Sequence, residues 1–410
     1  MAYNSKLSYS YSTLPNRVRL VHVHRKGEVE YFGLVINAGS RDENTNEYGL
    51  AHFVEHTIFK GTQKRHSWHI INRMESVGGE LNAYTTKEET VLYTVFPRGN
   101  LKRAVDLCSD LITSSVFPEK ELKKEREVVK DEICSYLDSP AESIFDDFDE
   151  RIFAGSAMAH NILGTEQNID SFSSLDCRRW LNSKYSPDNI IVFYAGASNE
   201  AKVKELVNYY FGALSNQSPS ISRTIPTVCS CFDISVEKSL HQSHTIAGIR
   251  IPGIRNDLRP TFSLLNNMIG GPGMNSLLNI EMREKRGLVY SVDSSTILYS
   301  DCGILSIYFG CDHEELSKCR EILCKSLESL PKRITARNLE RAKKQFIGQL
   351  ALARQNEENN AISAARQILY FDKIASPKQS ADEIMSVSLD SFAEAINYVS
   401  PDNFSFLSYT

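Results

Sequence analysis

The second half of this chain repeats the order of elements of the first, and that repetition limits the folds open to it. Strand-like runs over residues 234–251, a helix from Thr261, paired strands over residues 289–309, a helix from Glu314 and a long helix from Ala336 make up the second copy. They follow the succession of the first: strands within residues 7–37, a helix at His52, a hairpin over residues 80–96, a helix from Leu101 and a long helix opened by Pro118. Aligned on the long helices, Asn338 to Gln349 lies under Glu121 to Glu132, with Ala342 opposite Glu125 and Gln349 opposite Glu132. Strand runs followed by helices predict an α+β fold of two tandem homologous domains, each a mostly antiparallel sheet packed with helices. A chain of 410 residues is long enough for two such cores. The stretch Gln217 to Thr227, rich in Ser and Pro with little to bury, is the expected linker, which places the domains at residues 1–215 and 216–410.

Only the first copy carries metal-ligand chemistry. His52-Phe-Val-Glu-His56 sits in Gly49-Leu-Ala-His-Phe-Val-Glu-His-Thr-Ile-Phe-Lys-Gly-Thr62, whereas the second copy has Phe262-Ser-Leu-Leu-Asn266. On a helix, two histidines four residues apart project from one face, with Glu55 on its flank. Two neutral imidazoles hold zinc, a third protein ligand completes three corners of a tetrahedron, and water at the fourth has its pKa lowered to about 7. Glu55 is then the base that accepts the water's proton. The order reverses the His-Glu-x-x-His of the commoner zinc proteases and is itself a hydrolase signature. Read alone, the pentapeptide also fits helix-surface histidines beside a solvated Glu, so the third ligand decides.

Glu125 and Glu132, seven residues apart on the Pro118 helix, share one face two turns apart. Composition alone favours a solvated charged helix there. Other histidines are read as bystanders: His22 and His24 alternate on a strand, His66 and His69 lie on a helix without an acidic partner, and His241 and His244 point apart along a strand. Gly78 and Gly79 turn the chain into the hairpin that begins Glu80-Leu-Asn-Ala-Tyr-Thr85. Gly270-Gly-Pro-Gly273 lacks the Lys-Ser/Thr that would follow a phosphate loop, and a helix-start turn competes with a substrate-binding role for it.

The formal charge of −5 supplies no broad electropositive surface for nucleic acid or anionic lipid. Nine cysteines, an odd number without a C-x-x-C pair, fit small buried hydrophobes in a reducing compartment. The N-terminal residues show no basic region followed by an apolar run, and no apolar stretch reaches the roughly 20 residues of a membrane span. The expectation is a soluble cytoplasmic protein.

Three features together resemble the pitrilysin, insulin-degrading enzyme and mitochondrial processing peptidase family of zinc endopeptidases, in its short two-domain bacterial branch. They are Gly-x-Ala-His-Phe-x-Glu-His-x-x-Phe-Lys-Gly-Thr, Gly-Gly-x-Leu-Asn-Ala-Tyr-Thr-x-Lys-Glu, and the 75 residues that separate His56 from Glu132. The resemblance spans almost the whole chain. It implies one zinc per chain held by His52, His56 and Glu132, with Glu55 as general base and Glu125 as a supporting acid that orients a ligand. It implies that Asn82 and Ala83 lie on an edge strand to which a substrate peptide adds through main-chain hydrogen bonds, and that Gly271 and Gly273 belong to a substrate-binding stretch. Arg283 and Tyr290 match the family's Arg-x6-Tyr pair, which implies contact with the substrate and stabilisation of the oxyanion. The fold so implied is half of a clamshell, which needs a second half to enclose extended peptides in a chamber. A homodimer with composite sites follows, with a heterodimer with a paralogue as the other arrangement. The competing reading is a catalytically inactive structural or chaperone-like subunit, against which the intact His52, Glu55, His56 and Glu132 argue.

Overall fold

The structure is a computed structural model, and residues 8–214 and 221–410 are described. Two compact units emerge, each with its own sheet. One comprises the chain up to Ser135, His160–Thr224 and Asn356–Ile374; the other comprises Tyr136–Ala159, Ile225–Gln355 and Ala375–Thr410. The boundary expected near residue 220 and the start of the Ser- and Pro-rich linker lie outside the described residues.

The first unit holds a six-stranded sheet of β1 (Ser8–Thr13), β2 (Arg19–His24), β3 (Val29–Ile36), β4 (Glu80–Thr85), β5 (Thr90–Pro97) and β6 (Ile190–Gly196), in the order β1-β2-β6-β3-β5-β4. All neighbours are antiparallel except β2 and β6, so the sheet is mostly antiparallel. The uninterrupted apolar run of β6 is buried at every position, as a central strand covered on both faces requires. β4 is an edge, with one side of its backbone unpaired within the sheet.

One face of this sheet buries Phe32, Leu34 and Ile36 with α1 (Leu50–Thr57), α2 (Ser67–Glu75) and α3 (Leu101–Ser114), through Phe53, Met74 and Leu111. The long helix α4 (Glu119–Leu137) adds Leu122 and Val129 to the same core. The other face is covered from far along the chain, by the helix Glu357–Phe371, which packs on β6, β3 and β2. Ion pairs and hydroxyls fasten it: the Tyr93 hydroxyl donates to Glu358 at 2.9 Å, and Arg366 and Tyr370 both donate to the buried Glu89 at 2.6 Å.

The second unit is built on β7 (Asp233–Val236), β8 (Ser243–Pro252), β9 (Val289–Leu298), β10 (Cys302–Cys311) and β11 (Ser405–Tyr409), ordered β7-β11-β8-β10-β9. The helix expected from Thr261 runs over Arg259–Gly270, that from Glu314 over Leu316–Glu328, and the long one over Ala336–Ala353. Their apolar faces meet the sheet through Phe262, Leu323 and Leu339. The opposite face is covered by α5 (Pro140–Ile152), whose Ile144 and Phe148 pack with Ile246, Ile304 and Leu407. Each sheet thus borrows a helix from the other half of the sequence. Among the described residues, no helix is long and apolar enough to cross a membrane.

Candidate metal centre and its surroundings

α1 is only eight residues long and is preceded by Gly49 at φ +96°, a conformation that disfavours any side chain. His52, Phe53 and Val54 are buried, and Glu55 and His56 are half-buried. The apolar residues Leu50, Ala51, Phe53 and Val54 face the core, which leaves the histidine face turned toward α4. There Glu132 Oε2 lies 3.7 Å from His52 Nε2 and 3.4 Å from His56 Nε2. One ligand atom from each of the three residues lies within 4.8 Å of the others. Ligands about 2.1 Å from a tetrahedral zinc stand about 3.4 Å apart, so the distances from Glu132 to the two imidazoles suit donors to one shared ion.

Around the three donors the side chains are arranged as supports. Glu125 Oε2 is 3.4 Å from His56 Nδ1, and its other oxygen pairs with Lys60 Nζ at 2.6 Å. Thr85, the last residue of β4, donates its hydroxyl to Glu55 Oε2 at 2.6 Å, which leaves Oε1 for other chemistry. Neither Lys60 nor Thr85 is singled out by the sequence reading, although both fall inside the motif stretches.

The electrostatics match the geometry. Burial drives His52 from 6.5 down to about 3, with His56 pushing the same way, so its imidazole is neutral and ready to ligate. Burial raises Glu55, against the opposing bond from Thr85 and the nearby His56. Burial would lower His56, but its bond to Glu125 and the charges of Glu55 and Glu132 outweigh that and raise it. Burial likewise works against the Glu125 carboxylate, yet His56 and Lys60 hold it below the ordinary carboxylate range. Three carboxyl groups face one lysine here, a formal excess of two acidic groups that a divalent cation would offset.

Upstream of α1, Glu43 is buried and accepts hydrogen bonds from the backbone N–H of Gly49 at 2.9 Å and of Ala51 at 2.7 Å. His160 Nε2 lies 2.9 Å from the same carboxyl group. Burial raises Glu43 and lowers His160 to about 4, so each is pushed toward its neutral form. Nothing in the local sequence marks either residue.

Asn82 and Ala83 lie on the edge strand β4, opposite Tyr93 and Leu92 of β5. Ala83 packs on the core that holds α1, and Asn82 points to the other face of the sheet. In the second unit, Arg283 lies on a π-helical turn, Asn279–Glu284, and pairs with the adjacent Glu284 at 3.6 Å. Tyr290, the second residue of β9, is 93% exposed. Gly271 directly follows the helix Arg259–Gly270, where a Cβ would stand 2.7 Å from Asn267 Cα; at Gly273 it would stand 2.7 Å from the Asn275 side-chain oxygen. Of the remaining histidines, His22 bonds the Ser198 carbonyl at 2.9 Å, His244 bonds the Tyr308 hydroxyl at 2.7 Å, and His66 and His69 are exposed.

Both halves of the chain match known proteins. Residues 19–166 match the model of insulinase, peptidase family M16, and residues 171–346 match that of the peptidase M16 inactive domain. The chain is 30% identical to the uncharacterized zinc protease YmxG of Bacillus subtilis, over 87% of each chain. It is 33% identical to an uncharacterized zinc protease of Streptomyces coelicolor, over 76% of this chain and 70% of the relative. The fold matches a crystal structure of a protease from Helicobacter pylori with a TM-score of 0.87 at 22% identity, covering 98% of this chain and all of the other. The chain therefore belongs to the insulinase peptidases of family M16, in their short, two-domain bacterial form.

Proposed function

We propose that the protein is a zinc-dependent endopeptidase that holds one zinc per chain on His52, His56 and Glu132 and cleaves extended peptides. The observation that carries this reading is the meeting of one ligand atom each from His52, His56 and Glu132 within 4.8 Å of one another, beside a half-buried Glu55. Bound there, zinc would supply Lewis-acid polarisation of a water and of the scissile carbonyl. Everything else is done by the chain. Glu55 Oε1, the oxygen not engaged by Thr85, takes the proton of the attacking water and returns it to the leaving amine. The burial that raises the Glu55 pKa brings it nearer the working pH and improves it for both transfers. Glu125 fixes the ring of His56 through Nδ1.

The substrate lies along the unpaired edge of β4, beside Asn82 and Ala83, as an added strand. Main-chain pairing of that kind recognises backbone more than side chains, so the peptide's sequence is loosely read. Gly271 and Gly273 are further substrate-binding residues in this reading.

Arg283 and Tyr290 act on the zinc centre of a second copy, where they bind substrate and stabilise the developing oxyanion. Tyr290 packs on almost nothing in its own chain, and a phenol left in solvent is free for such a role. Since one chain carries both sets of groups, a two-fold homodimer completes two sites at once.

Metal analysis joined to cleavage of a quenched extended peptide tests the reading. One zinc per chain, with activity abolished by a chelator and restored by zinc, is the expected result. Cleavage that persists in metal-free protein would sink it.

A further inference from the structure

A short helix that carries two metal ligands has a weak point at its first turn. In α1, His52 is the third residue of eight, so loosening of the N-terminal turn moves that ligand directly. The amide N–H groups of a first turn have no partner within the helix and are ordinarily met by the residue just before it. Here that residue is Gly49, which has no side chain to offer.

The missing acceptor comes from six and eight residues upstream. Glu43 receives the Gly49 N–H on one oxygen and the Ala51 N–H on the other, and its side chain is fully buried. It is held in turn by His160, whose ring stacks on Tyr48 with centroids 3.7 Å apart. The segment that bears Glu43 also grips the turn between β4 and β5. The Ser40 N–H donates to the Thr86 carbonyl at 3.1 Å, and the Arg41 N–H donates to the Lys87 carbonyl at 2.8 Å. Lys87 Nζ reaches back to the His160 carbonyl. The approach is close enough that a Cβ on Gly39 would come within 2.2 Å of the Thr86 oxygen. One segment therefore ties the start of the ligand-bearing helix to the hairpin whose edge strand accepts the substrate.

We propose that Glu43, held by His160, is a positioning residue of the metal centre that sets the register of His52 relative to β4. The inference rests on the reading of His52 as a zinc ligand. Glu43 touches neither metal nor substrate and acts through the backbone of α1.

The test uses full-length protein with three substitutions: Glu43→Gln, His160→Leu and His160→Gln. Gln at position 43 keeps the shape but turns an NH2 group toward one of two N–H donors, and Gln at position 160 keeps an N–H donor near the Nε2 position. Zinc affinity is measured by chelator competition, and site geometry by the visible spectrum of the cobalt(II)-substituted protein. Glu43→Gln is expected to weaken zinc by about 10-fold, the size of effect typical of groups that orient a ligand, and to shift the cobalt bands. His160→Leu is expected to weaken it less, and His160→Gln to restore most of the loss. Wild-type affinity and spectrum in Glu43→Gln overturn the proposal, as does a lower melting temperature with an unchanged spectrum. If Glu43→Gln does not fold, the two His160 variants decide alone: equal affinities for both and for wild type overturn it. A wild-type chain that takes up neither zinc nor cobalt refutes the zinc reading itself and this inference with it, an outcome distinct from all the others.

Discussion

The two units differ most where their elements correspond. The first sets His52 and His56 on α1 and Glu125 and Glu132 on α4; the second sets Phe262 and Asn266, Ala342 and Gln349 at the aligned positions. Phe262 is fully buried in its core, and Ala342 is buried with it. Asn266 donates to the Ser294 carbonyl at 3.2 Å. The second unit thus has neutral side chains at all four of these positions. The first brings three carboxylates together against a single lysine, an arrangement whose desolvation and repulsion a cation relieves. The same order of elements carries both sets of side chains, so the His and Glu residues of the first unit are not what defines the fold.

The largest effect expected from this contrast is at Glu55. Glu55→Gln should lower peptide hydrolysis by a factor of about 10² to 10⁴ while zinc content stays at wild type, since the amide moves no proton and the three donors are intact. Zinc loss in this variant, or wild-type turnover, would remove Glu55 from its role.

Mixing chains sharpens the comparison by asking whether the units cooperate across copies. Glu55→Gln and Tyr290→Phe chains, each impaired alone, should recover roughly a quarter of wild-type activity when their subunits exchange, because half the dimers are mixed and each of these has one intact site. No recovery in mixtures shown by mass spectrometry to exchange would mean that the catalytic groups meet within one chain.

Glu132→Gln brings the first unit one step toward the composition of the second, where Gln349 stands. Zinc affinity should fall by about 10-fold or more, because a neutral amide is a poor third ligand. Full occupancy at stoichiometric zinc, measured by chelator competition, would take Glu132 out of the ligand set.

The smallest effect lies in the second unit. Bonds from Lys285 and Arg286, working against burial and joined by Arg333, hold Glu281 from the ordinary 4.5 down to about 2. A depressed carboxyl pKa adds stability that is present above its unfolded value and lost as pH falls toward the folded one. Stability should therefore decline between about pH 4.5 and 2 less steeply in Glu281→Gln than in wild type. Equal slopes in acid titration followed by circular dichroism would show that the cluster contributes nothing.

Much of this was legible without a structure. The four-residue spacing of His52 and His56, the alternation of β4 and β5 and the apolar run of β6 are local patterns, and local patterns follow from the periods of helix and strand. The 75-residue gap to Glu132 was readable only through resemblance, because no local rule joins positions so far apart. Tertiary structure alone decided what depends on long-range packing. It brought Glu132 Oε2 within 3.7 Å of both imidazoles, delivered Glu43 and His160 to the first turn of α1, and set the helices Glu357–Phe371 and α5 on sheets from the opposite half of the sequence. A buried carboxyl group that caps a helix from eight residues away leaves no periodic trace. Nor does a helix whose apolar face fits either sheet, since hydrophobic burial is non-directional and only shape and the ion pairs at its rim choose the partner.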